Sequence, residues 1–159
     1  MASVYYHHIR LGGNMYKKIV SQTTLDGLIT LPEVKAHCRV FNNFEDQYLS
    51  SLIPVCLDLC QSYTGRMLTT GSAVAVVHSW QSQVLLPFGE VTEVTKLVLD
   101  GTESTAFTFD DVSQIISINA PYATARIEFN AGYTTLPVVV KQAALIIAGT
   151  QYNNRDDVI

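Results

Sequence analysis

The sequence predicts an α+β fold: a small helical bundle of two N-terminal helices plus a C-terminal helix, with an antiparallel β-sheet inserted between helix two and the last. Three observations predict it. Leu49, Leu52, Ile53, Cys56, Leu59, Cys60 and Tyr63 follow i, i+3, i+4 spacing. Between residues 72 and 133 that period gives way to short runs rich in Val, Ile, Thr and Phe. After Pro137, whose φ is already set for a helix start, an Ala-, Ile-, Leu- and Val-rich run takes over. The length of 159 residues, with no repeat or low-complexity linker, predicts one domain with chain enough for a core.

Residues 1–29 carry no sustained period and read as an N-terminal arm ahead of a folded domain over 30–159. Tyr5, Tyr6 and Ile9 favour an extended segment, Gly12-Gly13 breaks it from the rest, and Arg10, Lys17 and Lys18 make it mildly basic. An arm of this kind pairs with a neighbouring chain as an added strand, so Tyr5, Tyr6 and Arg10 are candidate assembly contacts.

Thr30-Leu-Pro-Glu33 is a capping box, with a hydroxyl at the N-cap and a carboxylate three residues on. The helix it starts runs to about residue 40, and Asn42-Asn43 supplies a turn and a cap for the next. That second helix, over 44–63, has Glu45 and Asp46 at its positive end, Pro54 inside it and Gly65 placed to end it. The corner Tyr63, Gly65 and Arg66 is first a capped helix end, with a cation near the negative pole. Strands are expected over 73–80, 83–86, 91–99, 105–109, 115–118 and 125–130, with Asp100-Gly101 as a hairpin turn. The last helix, over 137–154, has a wide apolar face built on Val140, Ala143, Ala144, Ile147 and Ala148.

Composition narrows the function. A chain that is 48% hydrophobic and only 15% charged has apolar surface to bury against a partner. No run approaches the ~20 apolar residues of a membrane span, and residues 1–14 lack a signal-peptide core. Charge is uneven: residues 67–136 hold Lys96 and Arg126 against seven carboxylates, within a chain of net charge −4. Nothing there grips DNA.

No catalytic pattern stands out, and no cofactor or metal is implied. Cys56 and Cys60 share a helical face, but with Cys38 they make three small apolar core residues rather than a metal site. His7 and His8 are adjacent and point opposite ways on a strand. His37 and His78 have no ligand-spaced partners. Asp110-Asp111 reads as a solvated turn, and Trp80, the single tryptophan, as a sheet-packing residue. Tyr152, Asn153, Asn154 and Arg155 close the last helix with hydrogen-bonding groups and a guanidinium fork suited to a carboxylate on another chain.

Several segments together carry a family resemblance. At the C-terminal end they are Phe129-Asn-Ala-Gly-Tyr133, Leu136-Pro137, the run from Lys141 to Leu145, and Tyr152-Asn-Asn-Arg-Asp156. Near the start they are Leu31-Pro-Glu-Val-Lys-Ala-His-Cys-Arg39, Glu45-Asp46 and Gln61-Ser-Tyr-Thr-Gly-Arg66. In this order they resemble the head–tail connector proteins (adaptors, head-completion proteins) of tailed bacteriophages, over about residues 28–157. Gln151 and Asn153 depart from the aromatic or histidine and the glutamate that many relatives carry there.

The resemblance implies a non-enzymatic virion protein of the neck, assembled in the host cytoplasm. It implies a homo-oligomeric ring of about twelve copies beneath the portal protein, with a stopper or tail protein below. DNA would pass through the channel without specific binding, and Glu90, Glu93, Asp100 and Glu103 are candidate channel-facing residues, since like charge keeps DNA off a wall. Two alternatives stay open: a tail-completion or stopper protein of the same joint, and a small-ligand-binding or hydrolytic domain using Asp110, Asp111 and His78.

Overall fold

The computed structural model describes residues 15–155, which form three helices and two antiparallel sheets, an α+β fold. Tyr5, Tyr6 and Arg10 lie outside the described residues. The elements run β1 (Met15–Gln22), α1 (Leu31–Cys38), α2 (Asp46–Thr64), β2 (Gly71–His78), β3 (Gln83–Leu85), β4 (Val91–Leu99), β5 (Thr102–Glu103), β6 (Phe107–Asp110), β7 (Ile115–Ile118), β8 (Thr124–Ala131) and α3 (Val138–Asn153). They divide into two compact units, a β unit from residues 15–23 and 65–134 and a helical unit from 24–64 and 135–155.

In the β unit one sheet has the order β1-β2-β8-β4-β5 and the other β3-β7-β6. A single sheet was expected; two are present, and their inner faces share one apolar cluster. Val77, Leu97, Ile127 and Phe129 come from the larger sheet, Val84, Ile116 and Ile118 from the smaller. Along β8, Ala125, Ile127, Phe129 and Ala131 are buried, while Arg126, Glu128 and Asn130 alternate outward. β1 is the main departure. Residues 15–22, taken from sequence as part of the arm, pair antiparallel with β2, Lys17 opposite Ala75 and Ile19 opposite Ala73. Two adjacent lysines mask its alternation, and its partner lies beyond both helices in the chain.

Two turns show why their residues are needed. Asp100 and Gly101 both take positive φ, +48° and +85°, the conformation of a tight hairpin turn, as the Asp-Gly pair predicts. Gly132, just past β8, has φ +104°, and a Cβ there would lie 2.0 Å from the Thr69 carbonyl oxygen. No other residue fits.

In the helical unit α1, α2 and α3 pack pairwise around Val34, Leu49, Leu52, Cys56, Leu57, Cys60, Ala144 and Ala148. The α2 face is rotated from the expected one: Leu57 is buried, whereas Leu59 and Tyr63 are 44% and 95% exposed. Each helix pair is also joined by an ion pair. Lys35 meets Asp46 at 2.6 Å, Lys141 meets Glu33 at 2.6 Å, and Arg155 meets Glu45 at 2.5 Å.

Candidate functional site

The segments that carry the family resemblance prove to be the places where each unit is fastened. In the β unit, Arg66 of the Tyr63-Thr-Gly-Arg66 corner donates to the Tyr133 hydroxyl at 2.8 Å, across 67 positions of sequence. Its backbone forms a parallel bridge with Phe88, and the Met67 N–H donates to the Phe88 carbonyl at 3.1 Å. Gly65 has φ +64°, and Phe88, Gly89 and Glu90 follow with three consecutive positive φ values. A Cβ at Gly89 would sit 2.9 Å from the Arg66 guanidinium, so the bare backbone makes room for that side chain. The Lys17 ammonium belongs to this corner as well, 4.8 Å from the centre of the Phe88 ring. Lys17 is 7% exposed, and burial pulls its pKa below the ordinary lysine value.

In the helical unit, the Glu45 carboxylate accepts from the Tyr152 hydroxyl and from Arg155. These two bonds, Tyr152 first, hold Glu45 below the usual carboxylate range. The Arg155 guanidinium lies over the rings of Tyr48 and Tyr152, at 4.5 and 4.7 Å. The fork expected to reach another chain therefore closes on its own. Arg155 fastens the end of α3 to the start of α2.

At the other end of this unit's polar network, Glu33 accepts from Lys141 and from both the N–H and hydroxyl of Thr30. Its pKa falls to about 2, the Lys141 bond contributing most. This is the capping box expected from Thr30 and Glu33, extended by a cation from α3. The reach to Lys141 had no sequence signal, because the two residues are far apart in the chain and only the fold joins them.

The candidate channel-facing carboxylates are each engaged locally. Glu93 accepts from the Asn130 side chain at 2.7 Å, Glu103 pairs with Lys96 at 3.2 Å, and Glu90 lies 3.9 Å from Arg66. Asp100 is a turn cap, accepting from the backbone N–H groups of Ala123 and Thr124 at 3.1 and 2.8 Å. The described β unit is also less acidic than the 67–136 stretch, because Lys17, Lys18 and Arg66 join it, giving five Lys/Arg against seven Asp/Glu.

The remaining polar candidates have structural duties. Asp110 accepts from the Val112 N–H and, at 2.5 Å, from the Ser113 hydroxyl, an Asx turn at the β6–β7 tip. His78 contacts Thr124 at 3.3 Å and packs edge-on against Tyr16. Trp80, read from sequence as a sheet-packing residue, is 58% exposed. Cys56 and Cys60 are buried, and burial pushes the Cys56 thiol up to about 11. Among the described residues no group of three or more His, Cys, Asp or Glu converges on a metal position, and no helix is long and apolar enough to cross a membrane.

One concave feature of the helical unit had no signal in the sequence. α1 ends in a Schellman turn, the Val40 N–H bonding the Lys35 carbonyl at 2.9 Å, with Arg39 in the left-handed conformation at φ +58°. Beside it, against the last turns of α3, lies a cleft of about 540 Å³. His37, Arg39, Asn153 and Asn154 form its polar wall, and Ile146 and Gly149 its apolar side.

Comparison with known proteins agrees with the resemblance seen in sequence. Residues 28–99 match the family model described as phage gp6-like head-tail connector protein. The fold is similar to a chain in the neck of an empty gene transfer agent particle, computed with C6 symmetry. That chain is 22% identical, with TM-score 0.66 over 90% of this chain and 86% of the other. A chain from the virion of a native gene transfer agent particle aligns with TM-score 0.64, 22% identity and coverage of 90% and 87%. A chain in the neck of the native particle, computed with C12 symmetry, aligns with TM-score 0.59, 22% identity and coverage of 87% and 85%. No curated protein matches.

Proposed function

We propose that this chain is a structural head–tail connector of a tailed phage or phage-like particle, an adaptor subunit that forms a ring under the portal and surrounds the DNA exit channel. The observation that carries the reading is a double one. The connector family model covers the α1–α2 segment and the strands to β4, while the fold aligns with neck chains over nine-tenths of its length. Arg66–Tyr133 and Glu45–Tyr152–Arg155 add physical support, since the residues that mark the family are those that lock each unit.

The mechanism is assembly rather than chemistry. A ring arises when one surface of a subunit meets a different surface of the next and the rotation closes. The helical unit is suited to this, because it exposes Phe41, Phe44, Val55, Leu59, Tyr63, Val138, Val139 and Ile146. The portal protein above and a stopper or tail protein below are its proposed partners, with DNA passing without specific contact. Tyr5, Tyr6 and Arg10, with Asn153 and Asn154, remain proposed assembly contacts. Glu90, Glu93 and Glu103 are proposed to face the channel, their local pairs leaving a wall that neither binds nor strongly repels DNA.

The test is assembly with the portal. Purified protein mixed with portal rings is examined by electron microscopy and by mass in solution. A ring added to the portal, with a channel wide enough for duplex DNA, is the expected result. A compact homodimer indifferent to portals would overturn the reading, and attachment only to tail parts would move it to the stopper.

A further inference from the structure

We infer that the cleft beside Arg39 receives the β6–β7 tip of a second copy, with Asp111 and Val112 as the inserted residues. The inference rests on the ring reading and names the contact by which one subunit would hold the next.

The two surfaces are complementary in charge and apolar character. The cleft has one cation, Arg39, and no carboxylate in its wall, with the amides of Asn153 and Asn154 beside it. Among the described residues the Arg39 guanidinium has neither an ion pair nor a hydrogen bond. Ile146, 53% exposed, supplies an apolar contact on the same wall. The cleft therefore selects a carboxylate next to an apolar side chain.

The β6–β7 tip offers that pair on a firm support. Asp110 holds the turn by accepting from Val112 and Ser113, and the Gln114 side chain donates to the Asp111 carbonyl. The Asp111 carboxylate itself has no partner among the described residues, and Val112 is 89% exposed. A pre-set turn loses little freedom on docking. Tip and cleft are different surfaces of one chain, so the contact is heterologous, the kind that generates a ring.

Cys38 also lines the cleft and makes the test direct. Val112→Cys is oxidised in concentrated protein and in the portal-bound ring, then run without reductant. Insertion of the tip beside Cys38 gives a ladder beyond the dimer, because every copy carries both partners, and Cys38→Ser abolishes it. Separately, Arg39→Asp and Asp111→Arg are each expected to weaken ring cohesion at least tenfold with circular dichroism unchanged, and the double variant to restore it. Rings without a ladder, a ladder that survives Cys38→Ser, or a double variant no better than the singles would overturn this contact while leaving the connector reading in place. Absence of any ring in the parent protein would remove both. Loss of cohesion on deleting residues 156–159, with Asp111→Arg silent, would give the cleft to that acidic segment instead.

Discussion

The β unit and the helical unit are closed by different means. The β unit buries a continuous set of large side chains, Phe129, Leu97, Ile127 and Ile116 among them, with Lys17 and Thr69 the buried polar residues among those described. The helical unit has a slighter core, where Ala144, Ala148, Cys56 and Cys60 stand in for larger residues. It adds one ion pair per helix pair, all partly exposed. It also exposes eight of the thirteen large hydrophobic residues found at the described surface, in fewer than half of the described residues. The contrast is that the β unit hides most of its large apolar side chains, whereas the helical unit leaves many of its own exposed, the surface proposed above to meet another chain.

The sharpest way to break that comparison is in the two cores. Phe129→Ala is expected to cost about 3–5 kcal/mol and Leu49→Ala about 2–5 kcal/mol, measured by denaturant unfolding. The helical variant should recover part of its loss when the ring forms, because a partner binding only the folded state adds stability. Equal losses in free and assembled protein would show that both units are self-sufficient.

Acid should separate the units next. Glu33 has its pKa held near 2 against an ordinary value of 4.5, so its contribution is complete above about pH 4.5. It is lost as pH falls toward 2, and Glu45 acts in the same direction. Helical signal should therefore weaken on acidification before the β core opens, as followed by hydrogen exchange. Simultaneous loss would tie the units into one cooperative transition. Glu33→Gln should flatten this part of the pH profile.

Lys17→Met carries the opposite sign. The ammonium is buried against Phe88 without a hydrogen-bond acceptor among the described residues, so an apolar chain of similar length should raise the melting temperature. Because burial lowers its pKa, the charged form is the destabilised one, and the gain should shrink as pH rises through the lowered value toward 10.5. A drop in melting temperature would mean that the contact with the Phe88 ring outweighs desolvation. The smallest effect is expected from Arg155→Ala: a slight lowering of the melting temperature that fades with added salt, since the Glu45 pair is exposed. Particles that fail to assemble while the protein stays stable would restore Arg155 to a partner-binding role.

Much of this was legible because local chemistry decided it. The Asp100-Gly101 turn, the Thr30–Glu33 cap, strands β4 and β7 and the helix after Pro137 follow from residues close together in the chain. β1 was not legible, because its neighbour β2 is separated from it by both helices and Lys17 points inward against pattern. Nor was the duty of Arg155. A guanidinium at a helix end looks the same whether its carboxylate is on another chain or at Glu45, 110 residues earlier. The cleft was invisible for a similar reason, being made from two helix ends that only packing brings together.

The pairing of β1 with β2 has a consequence for synthesis. As the chain leaves the ribosome, β1 emerges first and waits for the whole of residues 24–64 before its partner appears, and α1 and α2 must then wait for α3. Neither unit can close early. Closing a loop of that length, when β1 meets β2, costs only a few kcal/mol of entropy, about 0.6 kcal/mol per doubling. Timing is the larger effect: a chain interrupted before α3 has every strand of the β unit but lacks the Lys141–Glu33 and Arg155–Glu45 pairs, so its helical unit stays open.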